Sequence, residues 1–421
     1  ARIAAGHATA ALEAGAPSAM LFKQARDLAP GDPELLLSTA AALQADGHRD
    51  VAEALLERAL DVNPSWIRGH EALSSLRWTT AGDRTDFARS FGQGCARARA
   101  ELALWIAWER ALAQARQWDL AHAVLNAARA QFGALAEFDA AEAFIATECG
   151  DDAAAERLFA AAAAIDDPGT RLAHVRHCLR TGRIAQAEAL ALPLIEGPRA
   201  AAAWPYLSLI WRLTGDPRSG WLDGDPPFVA HYDLAFPPGE LDRLAAHLRR
   251  LHTTKHHPAE QSLRGGTQTE GSLLLRADPA LDRVRQLILD AVRRYVDALP
   301  AFDARHPLLG TPRHTLRFAG SWSVRLAAQG FHVCHTHPLG WISSALYVSL
   351  PEADGLGEPP AGWLELGTPP PDLRLDLPAY RRVEPKPGRL VLFPSTMWHG
   401  TIPFGDGERL TIAFDVAVPS R

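Results

Sequence analysis

Three histidines and one arginine have the types and spacing that could do chemistry. His335 and His337 stand at i and i+2 within Phe331-His332-Val333-Cys334-His335-Thr336-His337-Pro338. His399 follows 64 residues after His335, Arg409 lies ten beyond that, and Thr411 two further on. On an extended strand, residues two apart share a face at about 6 to 7 Å, which suits two ligands converging on one ion. His332 and Cys334, at odd spacing from the pair, are expected on the opposite face. Neutral imidazoles suit iron, zinc, nickel or copper, while a guanidinium fork beside a hydroxyl suits a carboxylate. Taken singly, a His-X-His pair also reads as a polar surface face and a lone arginine as a salt-bridge partner. The joint spacing of pair, third histidine and Arg-X-Thr gives the set its weight.

Short strands must position these residues. Ser321–Leu326, Ser344–Leu350, Arg389–Phe393 and Leu410–Val418 are β-rich runs bounded by Gly and Pro. Runs of this kind argue for an antiparallel sandwich or open barrel. Lys386-Pro387-Gly388 reads as the turn into one of them. Two amphipathic helices precede the strands and are expected to brace one face of the sheet. Their apolar stripes are Leu241, Leu244, Ala245, Leu248 and Leu251, then Leu281, Val284, Leu287, Ile288, Ala291, Val292 and Tyr295.

The first half of the chain has another character. Residues 1–200 hold 54 alanines and 7 of the 31 prolines, so the helix former dominates before about residue 200 and the helix breaker after it. The alanines are also spaced. Ala40, Ala52 and Ala59 repeat as Ala111, Ala123 and Ala130, as Ala143, Ala155 and Ala162, and, with larger residues, as Val175, Ala187 and Leu194. Pro30 to Pro64 is 34 residues. Small residues at this spacing let the two helices of a hairpin approach closely, and the pattern resembles the tetratricopeptide repeat family. The division expected is 1–200 helical repeats, 201–224 an ordered join whose tryptophans pack, and 225–421 the strand-rich domain. Stacked repeats of this family imply a concave surface that holds a peptide or protein.

Around the histidines, the sequence resembles the Fe(II)- and 2-oxoglutarate-dependent dioxygenases. It is most similar to a group with a His-X-His-Pro segment followed by a serine-rich strand, here His335 through Trp341-Ile342-Ser343-Ser344 to Tyr347. Gln261-Ser262-Leu263-Arg264-Gly265-Gly266-Thr267-Gln268-Thr269 is similar to a segment of the repeat-linked members. The fold the resemblance implies is α + β: a tetratricopeptide-like helical solenoid, then a double-stranded β-helix (a cupin-like jelly roll) with bracing helices.

The resemblance further implies Fe(II), 2-oxoglutarate as co-substrate and O₂. His335 and His399 would bind iron. Arg409 would meet the far carboxylate of 2-oxoglutarate, with Thr411 or Tyr347 adding a hydrogen bond. Arg264, Gln268, Thr269 and Trp341 are candidates for the substrate cleft. His337 stands where that family usually has Asp or Glu. It could be the third ligand, water could fill the position, or a carboxylate such as Glu365 could complete the site; the expectation is His337, because it shares a face with His335. The expected activity is hydroxylation of a side chain of a peptide or protein held by the repeats. The alternatives are a small-molecule oxygenase and a metal-binding interaction module without catalysis. A zinc hydrolase lacks an obvious general base.

Composition excludes other classes. The formal charge is 43 − 49 = −6, with three lysines among the cations, so neither nucleic acid nor an anionic membrane surface is an expected partner. Cys95, Cys149, Cys178 and Cys334 are too scattered for a disulfide framework or a cysteine zinc site. No run of about 18 apolar residues exists, and no signal-peptide pattern opens the chain. A cytoplasmic setting is expected.

Overall fold

The structure is a computed structural model, and it describes residues 1–80, 84–224, 226–257 and 261–419. The chain packs as two compact units. The first comprises Ala1–Ile165, Thr254–Gln261 and Glu270–Asp278; the second comprises Asp166–Thr253, Ser262–Thr269 and Pro279–Arg421. The packing division therefore falls ahead of the compositional break near residue 200.

The first unit is helical: α1 (Arg2–Glu13), α2 (Ala19–Asp27), α3 (Pro33–Ala45), α4 (Arg49–Val62), α5 (Ile67–Thr80), α6 (Arg89–Arg97), α7 (Leu102–Gln114), α8 (Trp118–Phe132), α9 (Ala136–Cys149) and α10 (Asp152–Ala161). Consecutive helices pack antiparallel-hairpin fashion, α3 on α4, α7 on α8 and α9 on α10. Gly15, Gly47 and Gly150, and Gly182 in the second unit, take the left-handed conformation in the turns. Each lies seven residues after a buried residue of the preceding helix: Ala8, Ala40, Ala143 and Val175.

That rule corrects one register. The turn between α7 and α8 has Arg116 at φ 59°, which places Glu109 in the helix position that a small or apolar residue holds elsewhere. Ala121 and Ala128 are the buried partners, while Ala123 and Ala130 are exposed. The expected trio Ala111, Ala123 and Ala130 is two residues out of register. In an alanine-rich helix pair several alanine spacings coexist, and only packing selects one.

The second unit begins with three more helices, α11 (Pro168–Arg180), α12 (Ile184–Ala191) and α13 (Ala200–Thr214). Their apolar faces form one core with residues from the strand region: Val175, Cys178, Ala187, Leu207 and Trp211 pack with Leu222, Leu373 and Trp398. Trp204 makes edge contacts with Trp211 and Trp221 at 6.2 and 6.1 Å. The tryptophans of the join do pack, as expected. Trp398 packs against α13 and donates its indole N–H to the Pro205 carbonyl.

The strands are β1 (Ala230–Asp233), β2 (Leu263–Gln268), β3 (Phe318–His332), β4 (Gly340–Ser349), β5 (Leu364–Leu366), β6 (Arg381–Val383), β7 (Arg389–Pro394), β8 (His399–Thr401) and β9 (Arg409–Ala417). They form a six-stranded sheet in the order β1-β7-β4-β9-β3-β2 and a three-stranded sheet in the order β6-β5-β8. Every pairing is antiparallel. This is the α + β architecture expected. The bracing helices are α14 (Glu240–Leu251), which packs on β4, and α15 (Pro279–Ala298), which packs on β7. Both bury most of the stripes read from the sequence, with Leu241, Leu251 and Leu287 half-buried. Among the described residues no helix is long and apolar enough to cross a membrane.

Register decides which side chains share a face. Ser343 lies opposite Asp415 and Tyr347 opposite Thr411 across β4 and β9. Val324 lies opposite Thr411 and Leu326 opposite Arg409 across β3 and β9, and Phe393 lies opposite Ser343 across β7 and β4. Alternation therefore puts Arg409, Thr411, Asp415, Ser343, Tyr347 and Phe393 on one face of the large sheet.

Candidate metal centre

The histidines converge, although not by the regular strand the spacing suggested. β3 ends at His332, and the backbone leaves the ladder before touching strand β8 once more, where His335 and His399 exchange two backbone hydrogen bonds of 2.9 and 3.0 Å. The His337 N–H donates to the Ser395 carbonyl, and Gly340 N–H closes a turn onto the His337 carbonyl. Gly340 has no room for a Cβ, which would meet Ser395 Oγ at 2.4 Å and Asp415 Cβ at 3.2 Å. One donor atom from each of His335, His337 and His399 lies within 4.8 Å of the others.

The second ring nitrogens are all occupied. His335 Nδ1–H donates to the Val333 carbonyl at 2.8 Å and His399 Nδ1–H to the Met397 carbonyl at 3.0 Å. His337 Nδ1–H meets both carboxylate oxygens of Asp415, at 2.8 and 2.7 Å. With each Nδ1 spent, the tautomer is set and Nε2 carries the lone pair. Burial, followed by the neighbouring imidazoles, lowers His335 to about 3 and holds His399 well below the usual histidine range. Both rings are thus neutral at ordinary pH, the form that ligates metal.

His332 is not on a far face. Because the strand ends there, its ring stacks on His335 at 5.9 Å, and Ser262 Oγ lies 3.0 Å from His332 Nδ1 and 3.1 Å from His335 Nε2. Cys334 does point away: its thiol donates to the Thr368 carbonyl, and burial pushes its pKa up.

At the other end of β9, Arg409 is 2% exposed. It donates to the Gly362 carbonyl at 3.0 Å and to Thr401 Oγ1 at 3.1 Å, with the Phe404 ring at 5.6 Å. Its Nε has no partner, and among the described residues it makes no ion pair. The Tyr347 hydroxyl is likewise buried without a partner. Burial disfavours both charged forms, pulling Arg409 down and Tyr347 up, and Arg409 partly offsets the rise on Tyr347. Thr411 lies opposite Tyr347 and is 8% exposed. Buried donors left open beside an uncompensated cation form a site that a carboxylate completes.

Other candidates fall elsewhere. Glu365 is on β5, ion-paired with Arg382 at 2.8 Å, and stands outside the histidine cluster. Trp341 is 3% exposed and its indole N–H donates to the Leu308 carbonyl, so it packs rather than lining a cleft. Thr269 is 6% exposed, and its hydroxyl accepts from the Ser323 N–H, tying the end of β2 to β3. Arg264 and Gln268 are half-buried on β2, opposite Phe331 and Val324.

The residues missed from the sequence are Asp415, Ser343 and Ser395. Asp415 holds His337, Ser343 Oγ donates to Asp415 Oδ1 at 2.6 Å, and Ser343 and Ser395 hydroxyls meet at 2.8 Å. The signal was present: Arg409, Thr411 and Asp415 share odd numbering on one strand, hence one face.

Residues 320–415 match the family model described as "Putative 2OG-Fe(II) oxygenase". That match gives residues 320–415 the character of a 2OG-Fe(II) oxygenase domain and supports a 2-oxoglutarate-dependent dioxygenase. The oxygenase segment contains His335, His337, His399, Arg409 and Asp415 together. No curated protein matches the chain. Among solved structures, the chain is similar to a prolyl-4-hydroxylase of Pseudomonas putida, 20% identical over 49% of this chain and 100% of that one, with TM-score 0.32. It is also similar to a viral collagen prolyl hydroxylase of Paramecium Bursaria Chlorella virus-1, 15% identical over 47% and 98%, with TM-score 0.32. A tetratricopeptide repeat protein of Parabacteroides merdae is 14% identical over 52% and 88%, with TM-score 0.35.

Fe(II) and 2-oxoglutarate are the cofactor and co-substrate of this oxygenase. The residues fit them on the donor chemistry: three imidazole nitrogens with their tautomers fixed, and an orphaned guanidinium Nε beside an orphaned phenol.

Proposed function

We propose that the oxygenase oxidises a side chain of a peptide or protein held by the helical unit, with His335, His337 and His399 holding the iron. Bound iron and 2-oxoglutarate supply the activation of O₂ and the oxidation of a C–H bond. The chain's own residues hold and orient. Arg409 takes the far carboxylate of 2-oxoglutarate through its open Nε, with the Tyr347 hydroxyl, and Thr411 beside it, as further hydrogen-bond donors. The Nδ1 hydrogen bonds fix each imidazole before metal arrives.

The observation that carries the co-substrate reading is the buried, unpaired Arg409 next to the unpaired Tyr347. Support for the substrate class comes from the helical unit, which has a cavity of about 690 Å³ lined from α3, α5 and α7 by Gln44, Glu71, Ser74, Arg110 and Gln114. Arg110 makes no ion pair among the described residues, and the buried Ser74 hydroxyl has no partner. A groove with these polar groups among apolar walls from Leu37, Leu76 and Trp78 suits an extended peptide that offers acceptors to Arg110 and Ser74.

Two experiments test this. Anaerobic titration of the metal-free protein with Fe(II) and then 2-oxoglutarate should develop the weak visible band of the chelate, absent in His399→Ala and strongly weakened in Arg409→Ala. No band despite bound iron would sink the co-substrate role. Succinate production driven by peptide pools should fall in Arg110→Glu, while peptide-free turnover of 2-oxoglutarate stays unchanged; equal turnover of pools by both proteins would sink the peptide groove.

A further inference from the structure

The three imidazoles are not equivalent. His335 and His399 lean on neutral backbone carbonyls, whereas His337 leans on a carboxylate. Asp415 faces no lysine or arginine among the described residues; its partner is the Nδ1–H of His337. Its remaining contact is Ser343 Oγ, itself braced by Ser395, whose backbone carbonyl also fixes His337 N–H. Asp415, Ser343, Ser395 and His337 thus form a closed ring of contacts, with Gly340 leaving the space for it. A carboxylate in that place has no permanent cation to balance it.

We infer that Asp415 is a positioning residue that supplies, one hydrogen bond removed, the negative charge an all-imidazole ligand set lacks. Three neutral ligands leave a divalent ion's charge uncompensated. A carboxylate on Nδ1–H of one of them raises that ligand's basicity, fixes its tautomer and places a charge beyond the ligand ring. The inference rests on the reading of the three histidines as metal ligands.

The test uses the full chain and Co(II), a probe that needs no turnover, with affinity read by competition against a chromophoric chelator. Asp415→Asn keeps a side chain of the same shape and removes the charge, and a ten- to hundredfold loss of Co(II) affinity is expected. Ser343→Ala, which frees the Asp415 carboxylate without discharging it, should lose less. The decisive arm is a cycle with His337→Asp. There a carboxylate at position 337 supplies the charge directly and no Nδ1–H remains for Asp415 to hold, so Asp415→Asn should cost far less Co(II) affinity than it does in the parent.

A purely structural Asp415 would cost the same factor in both backgrounds. That outcome, or an Asp415→Asn variant within threefold of the parent, overturns the inference while leaving the ligand reading intact. Unchanged Co(II) binding in both His335→Ala and His399→Ala overturns the ligand reading and this inference with it. Should Asp415→Asn fail to fold, Ser343→Ala decides: a measurable weakening supports the proposal, and none overturns it.

Discussion

The two ends of strand β9 differ in how completely their polar atoms are satisfied. Near Asp415 every contact closes: carboxylate to imidazole, hydroxyl to carboxylate, hydroxyl to hydroxyl. Near Arg409 the guanidinium Nε and the Tyr347 phenol are buried and open. Buried polar atoms without partners are rare in folded proteins because each costs roughly 1–3 kcal/mol. The closed end is organised before any ligand arrives; the open end is completed only by one. Under the proposed assignment, a resident metal at the closed end and an exchanging co-substrate at the open end match that contrast.

The largest effect should come from the closed end. Under the proposed ligand set, His399→Ala removes one of three donors from a site with no carboxylate ligand, and metal retention should fall by more than a hundredfold, read by metal content after dialysis. Retention equal to the parent would mean that the cluster is not the metal's seat.

Next comes the open end. Arg409→Met should cost roughly 2–5 kcal/mol of 2-oxoglutarate affinity, the usual penalty for breaking a buried charged pair. It should leave metal content nearly unchanged. Because it also removes a buried cation with no counter-ion, the ligand-free variant should melt no earlier than the parent. A variant that loses metal and co-substrate together would erase the distinction between the two ends.

Much of the site was legible because strand alternation is a rigid rule. Arg409 and Thr411 were read correctly onto one face, and Tyr347 opposite Thr411 follows from the pairing of β4 with β9. Asp415 obeys the same parity but was passed over because it acts through another residue, and a supporting role leaves no spacing motif. His332 was misjudged because the strand stops beneath it, which the residues alone do not announce. In the helical half the overall architecture was plain from alanine and its period, yet one hairpin was read two residues off. There alanine is so frequent that the pattern is degenerate, and the turn residue, Arg116 in place of glycine, hid the register.

That hairpin carries the next prediction. Glu109 is 5% exposed in a position filled by small or apolar residues in the other hairpins, and burial raises it to about 7. The folded state therefore holds a proton that the unfolded chain releases near pH 4.5. Stability from this group is present at pH 4 and is lost as pH rises through about 7, by on the order of 3 kcal/mol. Glu109→Gln should flatten that slope in urea unfolding at pH 5 and pH 8. A parent protein equally stable at both pH values, with Glu109→Gln unchanged, would place the carboxylate in contact with water.

The smallest effect should come from the turn itself. Arg116 holds φ 59° where Gly47, Gly150 and Gly182 stand in the corresponding turns. A side chain in the left-handed region costs roughly 1 kcal/mol, while glycine enters it freely and loses part of that gain to its greater freedom when unfolded. Arg116→Gly should therefore stabilise the helical unit by about 0.5–1 kcal/mol, readable as a higher urea midpoint with unchanged slope. Arg116 also sits 5.9 Å from the Trp118 ring, a contact worth about 0.5 kcal/mol when exposed, which the substitution removes. If Arg116→Gly instead destabilises, that stacking outweighs the backbone strain. The hairpin would then be held by its own aromatic contact rather than by the turn its neighbours use.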